Sequence, residues 1–410
     1  MDDLIQVLRD HECPDSTFVD ADPALVFHKA NGSVIYDTVG KSYIDLCSGF
    51  GVMAFGHNHK DQRDLFSEQL VDTPPIVHGM GDVYPSDSKI HLIKDLVAAM
   101  PDHINRAALA LSGSQAVEIA LKTALLRRPK GDFISFSGSY HGVDLGVLPV
   151  TSRQDFKEPF QSWLPENRAH ELPYNCSEEQ LEKLLKNIPS GLAGIIVEPI
   201  QGRAGVHLPE PGWLAMLKDM SLKYDGLLIF DEVFTGLGRI GSMSTSFEVA
   251  ADLVCLGKAL GGGFPLSACC GTEQAFQSWP QSTGEAIHTG TFFGHPMSCK
   301  MGSRVIERLT TTAVIEESCT LGKELLDFLK NTIGDLSAVS EIRGQGLMIA
   351  IEFTVDGAGA NMMNQLRSDG VITLASGDKG QSLTMSPALN IKKDLLWEAL
   401  DKIIHLTKKL

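Results

Sequence analysis

Five short, mostly apolar runs separated by helical patterns constrain this chain more than any other feature. They are AALAL (107–111), DFISF (132–136), GIIV (194–197), LLIF (227–230) and LVCL (253–256). Helix patterns fall between them, at 115–126, 178–186 and 212–222. A strand without apolar–polar alternation is buried on both faces, and intervening helices make successive strands parallel. The middle of the chain, about 61–300, therefore reads as an α/β unit: a mostly parallel central sheet covered by helices. The flanks have another character. In about 1–60, VFHKANGSVIYDTVGKSYIDL alternates apolar and polar residues around a turn at Asn31-Gly32. In about 301–410, helix patterns near 313–332, 359–368 and 393–408 surround strands near 346–353, 371–374 and 382–385. That pattern predicts a smaller α+β domain, which the N-terminal segment is expected to join.

Composition narrows the function classes. With 410 residues and 43% hydrophobic content the chain can bury a large core. Its net charge of −16 excludes a general nucleic-acid or anionic-membrane role, which needs a basic footprint. No apolar run reaches the length of a membrane span. The start, MDDLIQVLRDHE, is acidic and lacks the basic-then-apolar order of a secretory signal. The eight cysteines form no CxxC pair. They read as reduced thiols of a cytoplasmic protein, with Cys255, Cys269 and Cys270 in strand-like runs. Among the histidines there is no HExxH spacing, so no metal is expected.

Ligands of an open parallel sheet sit beyond the carboxyl ends of its strands. The residues that follow each run are therefore the candidates for chemistry. LLIF is followed by Asp231, Glu232 and Val233; LVCL by Gly257 and Lys258; GIIV by Glu198, Pro199, Ile200 and Gln201. AALAL is followed by Ser112-Gly113-Ser114 at the start of a helix, and DFISF by Ser137-Gly138-Ser139-Tyr140-His141. A helix start offers free N–H groups and a positive dipole end to a phosphate. A carboxylate at Asp231 would hold a pyridine nitrogen protonated and make the ring an electron sink. Lys258 would form an imine with an aldehyde and later shuttle a proton. Tyr140 offers a face to one side of a ring, and Val233 to the other. Each residue alone has a plainer reading: a solvated lysine, an aspartate capping a turn, a serine N-cap, a packed tyrosine. Their coincidence at one sheet edge favours the chemical reading.

Two competing motifs fail on context. Gly236-Leu237-Gly238-Arg239-Ile240-Gly241 matches GxGxxG but stands five residues from its strand, and no clear helix follows. Gly257-Lys258 lacks the earlier glycine of a phosphate-binding P-loop, and Ala259 replaces its Ser or Thr.

The segments LSGSQAVEIALKTA, SGSYHG, IIVEPIQGRAGV, LLIFDEVFTGLGRIG, ADLVCLGKALGGGFP, TGTFFGHP and EIRGQGLMIAIEF together resemble the class III aminotransferases, pyridoxal-phosphate (PLP) enzymes of fold-type I. The resemblance runs from about residue 24 to 405. It implies a Schiff base between PLP and Lys258, with Asp231 on the pyridine nitrogen. It implies Gly113 and Ser114 in the phosphate loop, Tyr140 stacked on the ring and Gln201 near the phenolic oxygen. Ser112, His141 and Val233 join the same cofactor set, with Glu198 and Glu232 as supporting acids. It further implies that Thr291 reaches the cofactor phosphate of a neighbouring subunit, and so a homodimer with shared active sites. The implied activity moves an amino group from an amine or amino acid to an oxo acid or aldehyde. Aminomutase, epimerase, phospho-lyase and decarboxylase chemistry use the same lysine and aspartate and stay open, as does a non-catalytic binding dimer.

This chain departs from the family at its substrate positions. Members handling α-amino acids commonly carry a carboxylate-binding Arg where this chain has Thr384, and often a Glu where it has Arg203. The paired change suggests that the cation has moved to Arg203, which would receive an acidic group of the substrate. Alternatively, Arg203 pairs with an acid such as Glu198 or points to solvent. Phe50 replaces a hydroxyl-bearing Tyr of some relatives, and with Met53, Phe55 and Phe234 it suggests a rather apolar pocket. Arg343, ahead of a glycine turn, reads as structural.

Overall fold

The computed structural model describes residues 2–21, 24–81 and 83–410. Its largest sheet has seven strands in the order Arg106–Ala110, Ser267–Gly271, Leu253–Leu256, Leu227–Asp231, Leu192–Val197, Asp132–Phe136 and Ala169–Leu172. The last five run parallel. Ser267–Gly271 is antiparallel to both its neighbours. All five expected strands are present. The run containing Cys269 and Cys270 supplies the reversed strand. The edge strand Ala169–Leu172 has the sequence AHEL and is mostly half-buried, so it carries no apolar signature.

Alternate residues of the central strands feed two separate cores. Ile134, Ile195, Leu228, Phe230 and Val254 lie in one, whereas Phe133, Ile196, Leu227, Ile229 and Leu253 lie in the other. That is why these runs show no alternation: both faces of the pleat are covered. The helix Gly113–Arg127 covers the second face with Ala116, Val117, Ile119 and Ala120. Its small residues let it lie close to the strands.

The C-terminal part holds an antiparallel sheet ordered Val339–Gln345, Met348–Phe353, Ser382–Met385 and Leu374–Ser376. Phe27–Asn31, Val34–Asp37 and Ser42–Asp45 form an antiparallel ladder, with the expected turn at Asn31-Gly32. Val371–Ile372 adds to it in parallel, pairing with Ile44 and Asp45. The two ends of the chain thus share one sheet, and the site lies between the seven-stranded sheet and the strands Leu374–Ser376 and Ser382–Met385. Among the described residues no helix is long and apolar enough to cross a membrane.

Candidate active site

The carboxyl edge of the parallel strands opens into a cavity of about 500 Å³. Lys258 enters it one residue beyond Gly257, on a short 3-10 turn that follows Leu253–Leu256. Its φ of 36° lies in the left-handed region, where a residue with a Cβ is strained and such strain gathers at functional sites. The ammonium lies 4.7 Å from the centroid of the Phe234 ring, and no ion pair holds it among the described residues. Burial pushes Lys258 below the ordinary lysine range; Asp231 and Glu198 oppose the shift, and Arg203 adds to it. An amine with a lowered pKa is closer to the free base that attacks an aldehyde.

Asp231 ends its strand, buried, on the same cavity wall. Its Oδ2 is 2.8 Å from His141 Nδ1, and its Oδ1 accepts the Val233 N–H at 3.1 Å. A carboxylate offers about four acceptor sites, so room remains for a further donor. The His141 Nε2 is buried and has no hydrogen-bond partner among the described residues. The backbone N–H of His141 donates to Thr151 Oγ1 at 3.1 Å, and that of Gly138 to Ser152 Oγ at 3.0 Å, which pin the loop carrying Tyr140.

Ser112 caps the helix Gly113–Arg127 in a reciprocal capping box with Gln115. The N–H groups of Gly113 and Ser114, in the first turn, have no partner inside the helix and are free for an anion. A Cβ on Gly113 would stand 2.6 Å from Val233 Cγ1, so only glycine lets this helix end approach Val233. Val233, Tyr140 and the two serines all line the cavity.

Arg203 is exposed at the wall of the same cavity. Its guanidinium lies over Tyr140 at 4.7 Å and near Phe156 at 5.9 Å, a cation–π arrangement. It has no ion pair with Glu198. That carboxylate instead accepts the Tyr140 N–H at 2.8 Å on Oε1 and the Gly202 N–H at 3.1 Å on Oε2. Burial pushes Glu198 up to about 7; Asp231 adds to the rise, whereas His141 and the two N–H groups oppose it. Thr384, in Ser382–Met385, is buried and shares a hydroxyl–hydroxyl hydrogen bond with Ser376. Phe50 is 61% exposed, at φ 59°, and forms part of the mouth.

The structure places the other expected residues as follows. Gln201 does not line the cavity: its backbone bridges to His207, and its Nε2 donates to Ser137 O at 2.8 Å in a neighbouring recess. Glu232 also turns away, accepting Ser244 Oγ at 2.5 Å and Thr245 N–H at 2.6 Å. Met53 and Phe55 lie outside the lining, and Phe55 packs beneath Arg308. Thr291 is exposed on a turn away from this cavity. Arg343 pairs with Glu341 and Glu352 and donates to Gly205 O at 2.8 Å. Sequence reasoning missed Gly202, Val143, Asp144 and the strand Leu374–Ser376 as lining residues. Val143 and Asp144 directly follow the SGSYHG segment, a signal that was available; nothing local marks 374–376.

A half-buried lysine, a carboxylate at a strand end and an open helix start, all at one edge of this sheet, define a pyridoxal-phosphate enzyme of fold-type I. Comparison with known proteins agrees. The family described as "Aminotransferase class-III" matches residues 18–407. The acetylornithine aminotransferase of Methanothermobacter thermautotrophicus is 32% identical over 388 residues, 94% of each chain. The [LysW]-aminoadipate semialdehyde/glutamate semialdehyde transaminase of Sulfurisphaera tokodaii is 32% identical, over 87% of this chain and 88% of its own. Among solved structures, an aminotransferase of Bacillus anthracis superposes with a TM-score of 0.88 at 21% identity, covering 100% of this chain and 98% of that one. The chain belongs to the class III aminotransferases, and it is a PLP-dependent enzyme.

Proposed function

We propose that this aminotransferase takes an amino donor carrying one acidic group, and that Arg203 holds that group. The observation carrying the reading is that Arg203 lines the cavity with Lys258 and has no carboxylate partner among the described residues. Thr384, uncharged, stands where α-amino-acid enzymes of the family commonly have their arginine. An unpaired guanidinium presents a planar fork suited to a carboxylate or phosphate.

The residues of the cavity fit the cofactor. Asp231 would hold the pyridine nitrogen, the N–H groups of Gly113 and Ser114 with the Ser112 end of the helix the phosphate, and Tyr140 and Val233 the two ring faces. The cofactor, when bound, supplies the aldehyde that takes up the amine and an electron sink for the carbon that loses its proton. Lys258 holds the reacting position in the resting enzyme, gives way to the donor amine, then takes the donor's proton as base and returns it as acid. His141 keeps Asp231 oriented. Phe50, Phe234 and Val143 exclude water from the reacting carbon.

We further infer a homodimer. Val77, Met80, Val83, Tyr84, Ile287 and Phe292 are each more than half exposed, and the His78–Phe292 ring contact joins the 77–84 segment to the one carrying Thr291, an apolar surface of the kind that marks an interface. Thr291 sits beside Phe292 in this surface, which supports a shared site; sedimentation should give a dimer. All eight cysteines are free, which supports a reducing compartment such as the cytoplasm.

The test uses the holoenzyme. Neutral amines, ω-amino acids and α-amino acids are offered in turn, following loss of the cofactor's visible band, with wild type and Arg203→Ala in parallel. Acidic donors should lose about tenfold or more relative to neutral amines, the loss of one charge-assisted hydrogen-bonded contact. Equal reaction of both donor classes with the variant would refute the reading.

A further inference from the structure

We propose that Glu198 is a positioning residue that clamps the loop bearing Tyr140 to the loop bearing Arg203, and so sets the enzyme's preference for acidic donors. This rests on the reading of Arg203 given above.

The geometry is that of a bridge. One carboxylate oxygen takes the N–H of Tyr140 and the other takes the N–H of Gly202, the residue before Arg203. The two loops come from different strands, Asp132–Phe136 and Leu192–Val197, and meet at this carboxylate. Each contact is charge-assisted, about twice the strength of a neutral hydrogen bond. The Arg203 loop is otherwise fixed through its backbone. Gly205 N donates to Gly202 O at 3.3 Å, Arg203 O accepts the Gly377 N–H at 3.0 Å, and Gln201 and His207 bridge its base. A Cβ at Gly202 would come within 2.5 Å of Phe234, so only glycine lets the loop pack this closely against that ring. Arg203 in turn rests on Tyr140. Anion anchor and ring-stacking residue are therefore held at one spacing by one carboxylate.

The clamp depends on charge. A protonated carboxyl has one good acceptor and turns its O–H towards an N–H, so one of the two contacts is lost. Burial places that protonation near neutrality, with His141, Asp231, Lys258 and Tyr174 as the charged or titratable groups that face it. The folded pKa is raised, so the clamp is intact above about pH 7 and weakens as pH falls through it.

The experiment compares wild type, Glu198→Gln and Arg203→Ala as holoenzymes. Two quantities are read: amide hydrogen exchange in peptides spanning 138–144 and 199–206, and the ratio of kcat/KM for an ω-amino acid to that for a neutral primary amine. Glutamine keeps the shape but presents N–H2 to one of the two donors. Exchange in both peptides should quicken at least tenfold in Glu198→Gln and stay slow in Arg203→Ala. The donor ratio should fall about fivefold or more in Glu198→Gln, mostly through KM for the acidic donor. In wild type the same KM should rise below pH 7, and Glu198→Gln should lose that rise. Unchanged exchange in the variant overturns the clamp. Faster exchange with an unchanged donor ratio, while Arg203→Ala lowers it, overturns the positioning role. A ratio insensitive to Arg203→Ala overturns the anchor reading instead, and with it the effect on selectivity, while exchange still decides the clamp.

Discussion

At the lysine end of the cavity, Asp231, Lys258 and Ser112–Ser114 each stand at or just beyond the end of a strand of the seven-stranded sheet, on one edge of it. At the arginine end, Phe50, Arg203 and the strand pair carrying Leu374–Ser376 and Thr384 come from three segments far apart in the chain. The first set is fixed by strand register and helix capping, so its geometry follows from backbone hydrogen bonds. The second is fixed by contacts between distant segments and by side chains: the Glu198 bridge between two loops, the Ser376–Thr384 hydroxyl pair across two strands and the left-handed turn at Phe50. Such an arrangement lets donor preference change while the proton chemistry stays where it is.

Variants that separate the two ends sharpen this contrast. Lys258→Ala should have the largest effect: kcat falls by about a thousandfold or more, since the proton-transfer group is gone. Borohydride should then fix no cofactor to the 258 peptide. Asp231→Asn should lower kcat by about a hundredfold for every donor alike, because the charge that stabilises the pyridinium is removed. Unequal losses among donors would show that the two ends are not independent. Arg203→Ala should cost about ten- to a hundredfold, for acidic donors and in KM. Thr384→Val should be smallest. It leaves the buried Ser376 hydroxyl without its partner, destabilising the fold by about 1 kcal/mol, which thermal melts would detect.

The lysine end was legible because its residues carry local signatures. Apolar runs mark strand ends, the Ser112-x-x-Gln115 spacing marks a capped helix, and the segment around GKALGGG marks its lysine. The side chains of Gln201, expected near the cofactor, and of Glu232, expected as a supporting acid, are held by nearby backbone groups. The arginine end was only partly legible. The paired change at 203 and 384 pointed to a moved charge, but what lies around Arg203 could not be read from either position. Met53 and Phe55 looked like pocket residues by proximity in sequence; the left-handed turn at Ser48–Gly51 sends Phe50 alone to the mouth.

By itself, then, the amino-acid order determined the parallel sheet and the placing of Lys258 and Asp231 at one edge of it, because hydrophobic periodicity and strand-end position are properties of short stretches. Tertiary structure alone decided that His141 would orient Asp231, that Glu198 would bridge two loops rather than neutralise Arg203, and that Thr384 would bond Ser376. Those are contacts between residues distant along the chain, and no local pattern encodes which of several possible partners a buried polar group will find.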